Sequence, residues 1–323
     1  MSNLHKIVIV GGGAGGLELA TQLGNTLGKS NKAKITLVDQ KLTHIWKPLL
    51  HEIAAGTLNP HAEETNYFAH ASKHHYEFVL GSFTEIDQTA KQITLEAAQL
   101  SRPDQIQKNI RLDYDTLIIA VGSTSNDFNT EGVKQHCHFL DSRKQADVFQ
   151  QDLLHLYLEA QNHETTRALN IAIIGAGATG IELAAELYQA KQTFFKYGLN
   201  KIDPKNVNIT VIEAADRVLP ALSETIAKHT SHQLEQFGIK VLTKHRVAKV
   251  DQDTVYFADG TSIDAELKVW AAGIKAPAVL EQLTGFEKDN IQRLKVYATL
   301  QTLSDPNVFA FGDCAHCQPA ADE

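Results

Sequence analysis

The chain has 323 residues, 43% of them apolar and 21% charged. These proportions belong to a folded globular protein and exclude a disordered, fibrous or collagen-like chain. The 30 basic and 38 acidic residues leave a net charge of −8, which gives no electrostatic footprint for nucleic acid. Three cysteines exclude a disulfide-dense secreted scaffold. No apolar run reaches the ~18 residues of a spanning helix, and polar residues interrupt the start before a secretory core forms. At ~150 residues per domain the length predicts two domains, in a soluble or peripherally attached intracellular protein.

The first element is Lys6-Ile-Val-Ile-Val10, a β-branched run ending directly in glycines, which reads as a buried parallel strand. A helical pattern follows over 17–27, then a second strand over 33–39, completing a βαβ unit. The same order returns as a strand over 169–174, a helix over 180–196 and a strand over 207–213. Between the copies, Ile110-Arg-Leu-Asp-Tyr-Asp-Thr-Leu-Ile-Ile-Ala-Val-Gly122 contains a buried strand ending in glycine. Its counterpart after the second copy is Glu266-Leu-Lys-Val-Trp-Ala-Ala-Gly273. Residues 92–95 and 254–257 alternate as antiparallel hairpin strands beside each main sheet. Residues 98–109 are expected to form a surface loop, and 123–165 a helix-prone bridge between the halves.

Two glycine fingerprints carry the chemistry. The first is Gly11-x-Gly13-x-x-Gly16, with Asp39 closing the next strand; the second is Gly175-x-Gly177-x-x-Gly180, with Glu213 in the same role. The first glycine of each permits the tight turn, the second lets backbone approach a pyrophosphate, and the third brings helix against strand. The acid accepts from ribose hydroxyls, while N–H groups at the helix start receive phosphate charge. In the second copy the acid lies further on than the usual ~20 residues, and a loop over 193–205 supplies the excess. Glu213 favours NADH over NADPH because it repels a 2′-phosphate. Arg217 nearby offers that phosphate a partner, although a structural ion pair suits it better. Two dinucleotide sites in one chain suggest a flavin site and a nicotinamide site, with hydride transfer supplied by the cofactors.

On Val8-Ile-Val-Gly-Gly-Gly-Ala-Gly-Gly16, Ile171-Ala-Ile-Ile-Gly-Ala-Gly-Ala-Thr-Gly-Ile-Glu182 and Phe309-Ala-Phe-Gly-Asp313, the sequence resembles the two-dinucleotide-binding-domain flavoproteins. The resemblance covers nearly the whole chain. It implies an α/β fold of two Rossmann-like three-layer ββα domains with small antiparallel β-meanders, the NAD domain inserted in the FAD domain. The expected boundaries are 1–122 and 280–323 for FAD, 123–168 for the bridge and 169–279 for NAD(H). Within that family, His44-Ile-Trp-Lys-Pro-Leu-Leu-His-Glu-Ile-Ala-Ala-Gly56, Asp216-Arg-Val-Leu-Pro220 and Gly312-Asp-Cys-Ala-His-Cys317 look like the type II NADH:quinone oxidoreductases. The resemblance implies FAD contacts at Gly11, Gly12, Gly13, Gly15, Gly16, Asp39, Gln40, Lys47, Phe83, Ala120, Gly122, Gly312 and Asp313. It implies NAD contacts at Gly175, Gly177, Thr179, Gly180, Glu182, Glu213 and Gly273.

It also implies that Lys47 and the Pro48-Leu-Leu50 turn lie near the flavin ring, and that the backbone of Phe83 meets the adenine. Trp46, Leu49, Leu50 and Ile53 fit either a core helix or an apolar face toward a quinone. Glu182, read in the first turn of its helix, is either the catalytic carboxylate near nicotinamide and flavin or a charge favoured by the helix dipole. Cys314 and Cys317 are spaced as a redox dithiol, but two small residues at a helix start is the better reading. His70, His74 and His75 have metal-ligand spacing, yet solvated surface residues fit them better, and no metal is expected.

The leading function is a non-proton-pumping respiratory NADH dehydrogenase that passes a hydride from NADH to FAD and electrons to a membrane quinone. Rivals are an NADH-dependent ferredoxin or rubredoxin reductase, a sulfide:quinone oxidoreductase, a redox-sensing binding module, and a catalytically weakened FAD/NAD-binding fragment. Partners are NADH and a quinone, a homodimer is compatible, and no nucleic acid is expected. The resembled proteins continue past the Gly-Asp element into a region for quinone contact and membrane attachment at the cytoplasmic side of the inner or plasma membrane. The expectation is therefore a C-terminally shortened chain, soluble or peripheral, that holds flavin loosely and reduces quinones poorly.

Overall fold

In the computed structural model, which describes residues 4–97, 109–161 and 168–317, the strand His5–Val10 runs parallel to Ala33–Asp39 on one side and to Thr116–Ile119 on the other. Val308–Ala310 extends the sheet beyond Thr116–Ile119, and Glu77–Asp87 extends it beyond Ala33–Asp39. Alternation decides which face each residue serves. Ile7, Ile9, Ile35 and Leu37 pack with Ala20 of the helix Ala14–Leu23 and with Tyr67 and Phe78. Val8, Val10, Val38, Leu117 and Ile119 pack on the other face with Phe83, Ile93 and Leu95. Both faces are thus buried, which explains why these strands read as continuous apolar runs.

The alternating stretch at 92–95 belongs to this same sheet, not to a separate hairpin beside it. Glu77–Asp87 is parallel to Ala33–Asp39 through Leu80, then antiparallel to Gln92–Ala97 from Gly81, with a register shift between Phe83 and Glu85. Ile110–Asp113 pairs antiparallel to Gln92–Ala97 and completes seven strands. The run 110–122 thus contains the expected buried strand, Thr116–Ile119, and a further strand, Ile110–Asp113, before it. The chain turns at Tyr114 and Asp115, where the buried Tyr114 donates its N–H to Lys91 O and the Asp115 carboxylate accepts from Lys6 N at 2.7 Å. Tertiary pairing with different partners in one sheet, antiparallel to Gln92–Ala97 before the turn and parallel to His5–Val10 after it, overrides the continuous local propensity. Of the loop expected at 98–109, residues 98–108 lie outside the described residues.

A second parallel sheet orders Lys240–Leu242, Val207–Ile212, Leu169–Ile174 and Leu267–Trp270. The helix Ala178–Lys196 lies over it, and the antiparallel strands Val247–Val250, Thr254–Phe257 and Ser262–Asp264 contribute Val247, Val250, Val255 and Phe257 to a core with Ala172, Ile174 and Trp270. The excess residues after the second fingerprint are shared between that helix, which runs to Lys196, and a turn at Gly198 followed by the 3-10 turn Pro204–Asn206.

The chain resolves into two compact units, 1–46 with 63–124 and 274–323, and 47–62 with 125–273. Apart from shifts of a few residues at 122/124 and 279/273, these limits differ from the expected ones in two ways. The segment 47–62 packs with the second unit, because the helix Leu50–Ala55 buries Leu50, Ile53, Ala54 and Ala55 beside the helices Arg143–Gln161 and Ala178–Lys196. The bridging segment is also part of that unit, its helix Arg143–Gln161 burying Phe149, Leu153 and Tyr157; residues 162–165 are outside the described set. Among the described residues no helix is long and apolar enough to cross a membrane.

Candidate functional site

The two fingerprints are built alike. Gly11 has φ +104° and donates its N–H to Val38 O at 2.8 Å; Gly175 has φ +111° and donates to Ile212 O at 2.7 Å. A side chain at either would strike the backbone of Ala120 or Ala271, and one at Gly16 or Gly180 would strike the carbonyl of Gly11 or Gly175. These four positions serve the backbone itself. Gly13 and Gly177 differ: each caps its helix in extended conformation, without a side-chain cap, and a Cβ there would meet no protein atom within 4 Å. The first N–H groups of each helix therefore border open space that a Cβ would partly fill, a cradle for phosphate oxygens.

The acids complete the pattern. Asp39 accepts from Gly12 N at 2.7 Å and from Lys41 N at 2.8 Å; Glu213 accepts from Ala176 N at 2.9 Å and from Ala215 N at 2.8 Å. Each carboxylate oxygen keeps a lone pair for a ribose hydroxyl. The donor set fits two dinucleotides, one on each unit.

The carbonyl of the loop's second residue is held differently in the two copies. Ala176 O accepts the backbone N–H of Leu219 at 2.8 Å. Gly12 O instead accepts two side chains, Tyr67 Oη at 2.5 Å and His44 Nδ1 at 2.9 Å. Tyr67 is buried and stacked on Phe78 at 4.8 Å, and burial raises its hydroxyl pKa. Burial likewise holds the His44 pKa below the ordinary value, against the opposing pull of the Gly12 hydrogen bond and the Asp39 charge. A neutral imidazole facing a carbonyl carries its proton on that nitrogen. Tyr67 did not stand out in the sequence, and His44 stood out only as the start of the family-like segment 44–56, with no role of its own; they lie 55 and 32 residues from Gly12.

On the first unit the structure also brings Ala120, Gly122, Gly312 and Asp313 to neighbouring strand ends: Ala120 N donates to Val10 O at 2.8 Å, and Asp313 accepts from Ser123 Oγ at 2.8 Å. Gly122 and Gly312 have φ +70° and +75°, with open space where a Cβ would be. A Cβ on Gly12 or Gly15 would collide with the Tyr67 or Phe311 ring. Gln40 is exposed, while Phe83 is buried in the core of its unit.

On the second unit, Thr179 is exposed in the first turn, and Gly273 has φ +67° with the Phe128 ring where a Cβ would be. Among the described residues Arg217 makes no ion pair of the expected kind; its Nη2 donates to Pro220 O at 3.1 Å and Leu222 O at 3.4 Å, bracing its own loop. Glu182 is the fifth residue of the helix Ala178–Lys196, beyond the first turn, where the helix has no acidic residue. The dipole therefore acts on it weakly, since that effect fades within a turn. Its carboxylate is 55% exposed and lies 3.3 Å from Nδ1 of the buried His51. One helical turn on, Glu186 accepts from Thr57 Oγ1 at 2.8 Å. Lys47 opens the 3-10 turn Lys47–Leu49, with Nζ 3.9 Å from Asp141. Of the four apolar residues there, Leu50 and Ile53 are core, Leu49 is half-buried and Trp46 is 55% exposed.

The cysteine pair is not at a helix start. Cys314 ends the 3-10 turn Gly312–Cys314, and Ala315–Cys317 is a strand parallel to Leu294–Val296, whose edge N–H and C=O groups it satisfies. Cys314 is buried, donates to Phe311 O and Ile119 O, and has its thiol pKa raised by burial, the reverse of a reactive thiolate. Neither cysteine is in a disulfide. The His70 and His74 rings stack at 4.3 Å, with their Nδ1 atoms on Tyr76 and Asn25.

Residues 5–322 match the model of the pyridine nucleotide-disulphide oxidoreductase family. The chain is 43% identical to a type II NADH:quinone oxidoreductase of Haemophilus influenzae, over 97% of this chain and 74% of that one. It is 30% identical to the enzyme of that name from Staphylococcus aureus, over 98% and 76%. Its fold matches the structure of NDH2 from Plasmodium falciparum in complex with NADH with a TM-score of 0.85 at 24% identity, covering 98% of this chain and 65% of that one. The chain spans about two thirds to three quarters of the length of these relatives, and it belongs to the pyridine nucleotide-disulphide oxidoreductase family and, within it, to the type II NADH:quinone oxidoreductases.

Proposed function

We propose that the chain oxidises NADH and reduces a membrane quinone, holding FAD on the Gly11–Gly16 fingerprint and NADH on the Gly175–Gly180 fingerprint. The observation that carries this reading is the presence of two complete cradles, each with its own glycine turn, open helix cap and strand-end acid. Bound flavin supplies hydride acceptance and stepwise electron release, chemistry that no side chain offers. The protein's part is to bind and orient. Gly13 and Gly177 open the two helix N-termini to phosphate charge, and Asp39 and Glu213 hold the loops while presenting lone pairs to ribose hydroxyls. A carboxylate at 213 turns away a 2′-phosphate, which selects NADH. Glu182, exposed beside the second cradle, is the residue assigned to orient the nicotinamide and relay a proton. The enzyme acts peripherally, at a membrane surface.

The test is the purified chain's absorbance, the identity of its released flavin, and anaerobic addition of NADH. Bleaching by NADH followed by reoxidation with a short-chain quinone is the expected outcome. A flavin-loaded sample that NADH fails to bleach refutes the reading, whereas reoxidation by an iron–sulfur protein alone moves it to an electron-carrier reductase.

Two variants probe the named residues. Tyr67→Phe removes the shorter of the two side-chain bonds to Gly12 O and should cost about 1 kcal/mol of stability. Flavin recovered per chain should fall several-fold while NADH affinity is unchanged, because Tyr67 serves only the first loop. Glu182→Gln should slow quinone turnover about a hundredfold or more, in the range for a positioned proton-transfer group. Its flavin content should match wild type, and turnover at the wild-type rate would leave Glu182 without a catalytic role.

A further inference from the structure

The helix Leu50–Ala55 is buried along four of its six residues as plain core, and His51 is the polar residue it buries with them. The His51 side chain is 8% exposed. Its Nδ1 lies 2.8 Å from Pro48 O and 3.3 Å from Glu182 Oε2. The charged groups acting on it are Glu182 and Glu186 from the helix Ala178–Lys196 and Glu52 from its own helix. All three pull its pKa up, but burial outweighs them and leaves it below the ordinary histidine value, so the ring is neutral at pH 7. The hydrogen bond of that nitrogen goes to the Pro48 carbonyl, an acceptor, so Nδ1 carries the proton, and Glu182 Oε2 lies near the positive end of the same N–H dipole without being its hydrogen-bond partner. The tautomer is therefore fixed by Pro48, a backbone atom of the same turn.

Resting on the assignment of Glu182 to the NADH side, we propose that His51 is a positioning residue for Glu182: the positive end of its buried Nδ1–H dipole, fixed by Pro48 O, holds one carboxylate oxygen at 3.3 Å and leaves the other for the substrate. Glutamate is among the side chains with most rotamer freedom to lose, and an exposed one samples several rotamers unless something rigid meets it. Here the rigid group is an imidazole held in a core helix, and the group it meets is half exposed. Buried support behind an exposed functional group is what keeps such a group in productive geometry. Glu186, one turn further along the same helix, is occupied by Thr57 and does not compete for His51 as a hydrogen-bond donor.

The experiment is a double-mutant cycle on the flavin-loaded protein, with His51→Leu, His51→Asn, Glu182→Gln and the His51→Leu/Glu182→Gln pair. His51→Leu should lower kcat/KM for NADH about tenfold with flavin content and thermal midpoint near wild type. His51→Asn, whose amide N–H replaces the Nδ1–H donor, should recover to within about threefold. In the Glu182→Gln background, His51→Leu should add less than a twofold loss, since the group it positions is already gone. Equal fold-losses in both backgrounds, or no loss in His51→Leu, would overturn the proposal. An arm independent of turnover uses 15N-histidine NMR: His51 should titrate as the Nδ1–H tautomer, and its midpoint should fall in Glu182→Gln as a raising charge is removed. An unchanged midpoint also overturns it. If the NMR arm shows the coupling but wild-type flavin is not bleached by NADH, the pair stands and the proposed function falls.

Discussion

Gly16→Ala is expected to purify almost without flavin, with retention at least tenfold below wild type. The added Cβ would sit against the carbonyl of Gly11, a backbone atom, and 3.4 Å from Ala120 Cβ. That carbonyl has little room to yield, because Gly11 is held at φ +104° by its N–H bond to Val38 O, and its own Cα faces the backbone of Ala120. The helix Ala14–Leu23 must instead move off the sheet, at a cost of about 1–3 kcal/mol typical of overpacking. Its displaced N-terminus no longer presents N–H groups in the geometry the phosphates need. Gly13→Ala provides the contrast: φ is an ordinary −63° and the methyl meets no protein atom, so the thermal midpoint should stay at wild type. Flavin retention should nonetheless fall, because the methyl occupies the cradle. Measuring midpoint and flavin content on both variants checks the argument, and full retention in Gly16→Ala would show that helix and turn need not touch.

Glu213→Arg is expected to raise KM for NADH by about ten- to a hundredfold and to improve the use of NADPH. Two effects add. The carboxylate is lost as a ribose acceptor, and the N–H groups of Ala176 and Ala215 lose the partner that bound them at 2.9 and 2.8 Å. An unsatisfied polar group costs about 1–3 kcal/mol where water cannot replace the partner, so loop order suffers as well as affinity. The new guanidinium meets a 2′-phosphate that the carboxylate repelled. Arg217 helps little as it stands, since its Nη2 already braces Pro220 and Leu222. Steady-state constants with both nucleotides measure the switch, and an unchanged preference removes Glu213 from the ribose site.

The fingerprints were readable because their requirements are local. A left-handed turn at Gly11 or Gly175, a helix packed onto the carbonyl of that same residue, and an acid at the end of the next strand all recur at short spacing. The apolar runs of Ile7 to Val10 and Ile171 to Ile174 announce strands buried on both faces for the same reason. Where local propensity and tertiary pairing conflict, the reading fails. Tyr114 and Asp115 sit inside a continuous strand-like run, yet the chain changes partners there. Ala315 to Cys317 follow a helical turn but pair as a strand with Leu294–Val296.

The amino-acid sequence by itself thus determined the two glycine turns, the acids at the following strand ends and the family, because each turn is a backbone geometry enforced within a few dozen residues. Only the tertiary structure decided what supports them. Tyr67 and His44 converge on one carbonyl of the first loop, and His51 lies against Glu182 across more than a hundred positions of chain. Such contacts depend on which buried side chains the packed elements bring within hydrogen-bonding range of one another, and no spacing along the chain encodes that.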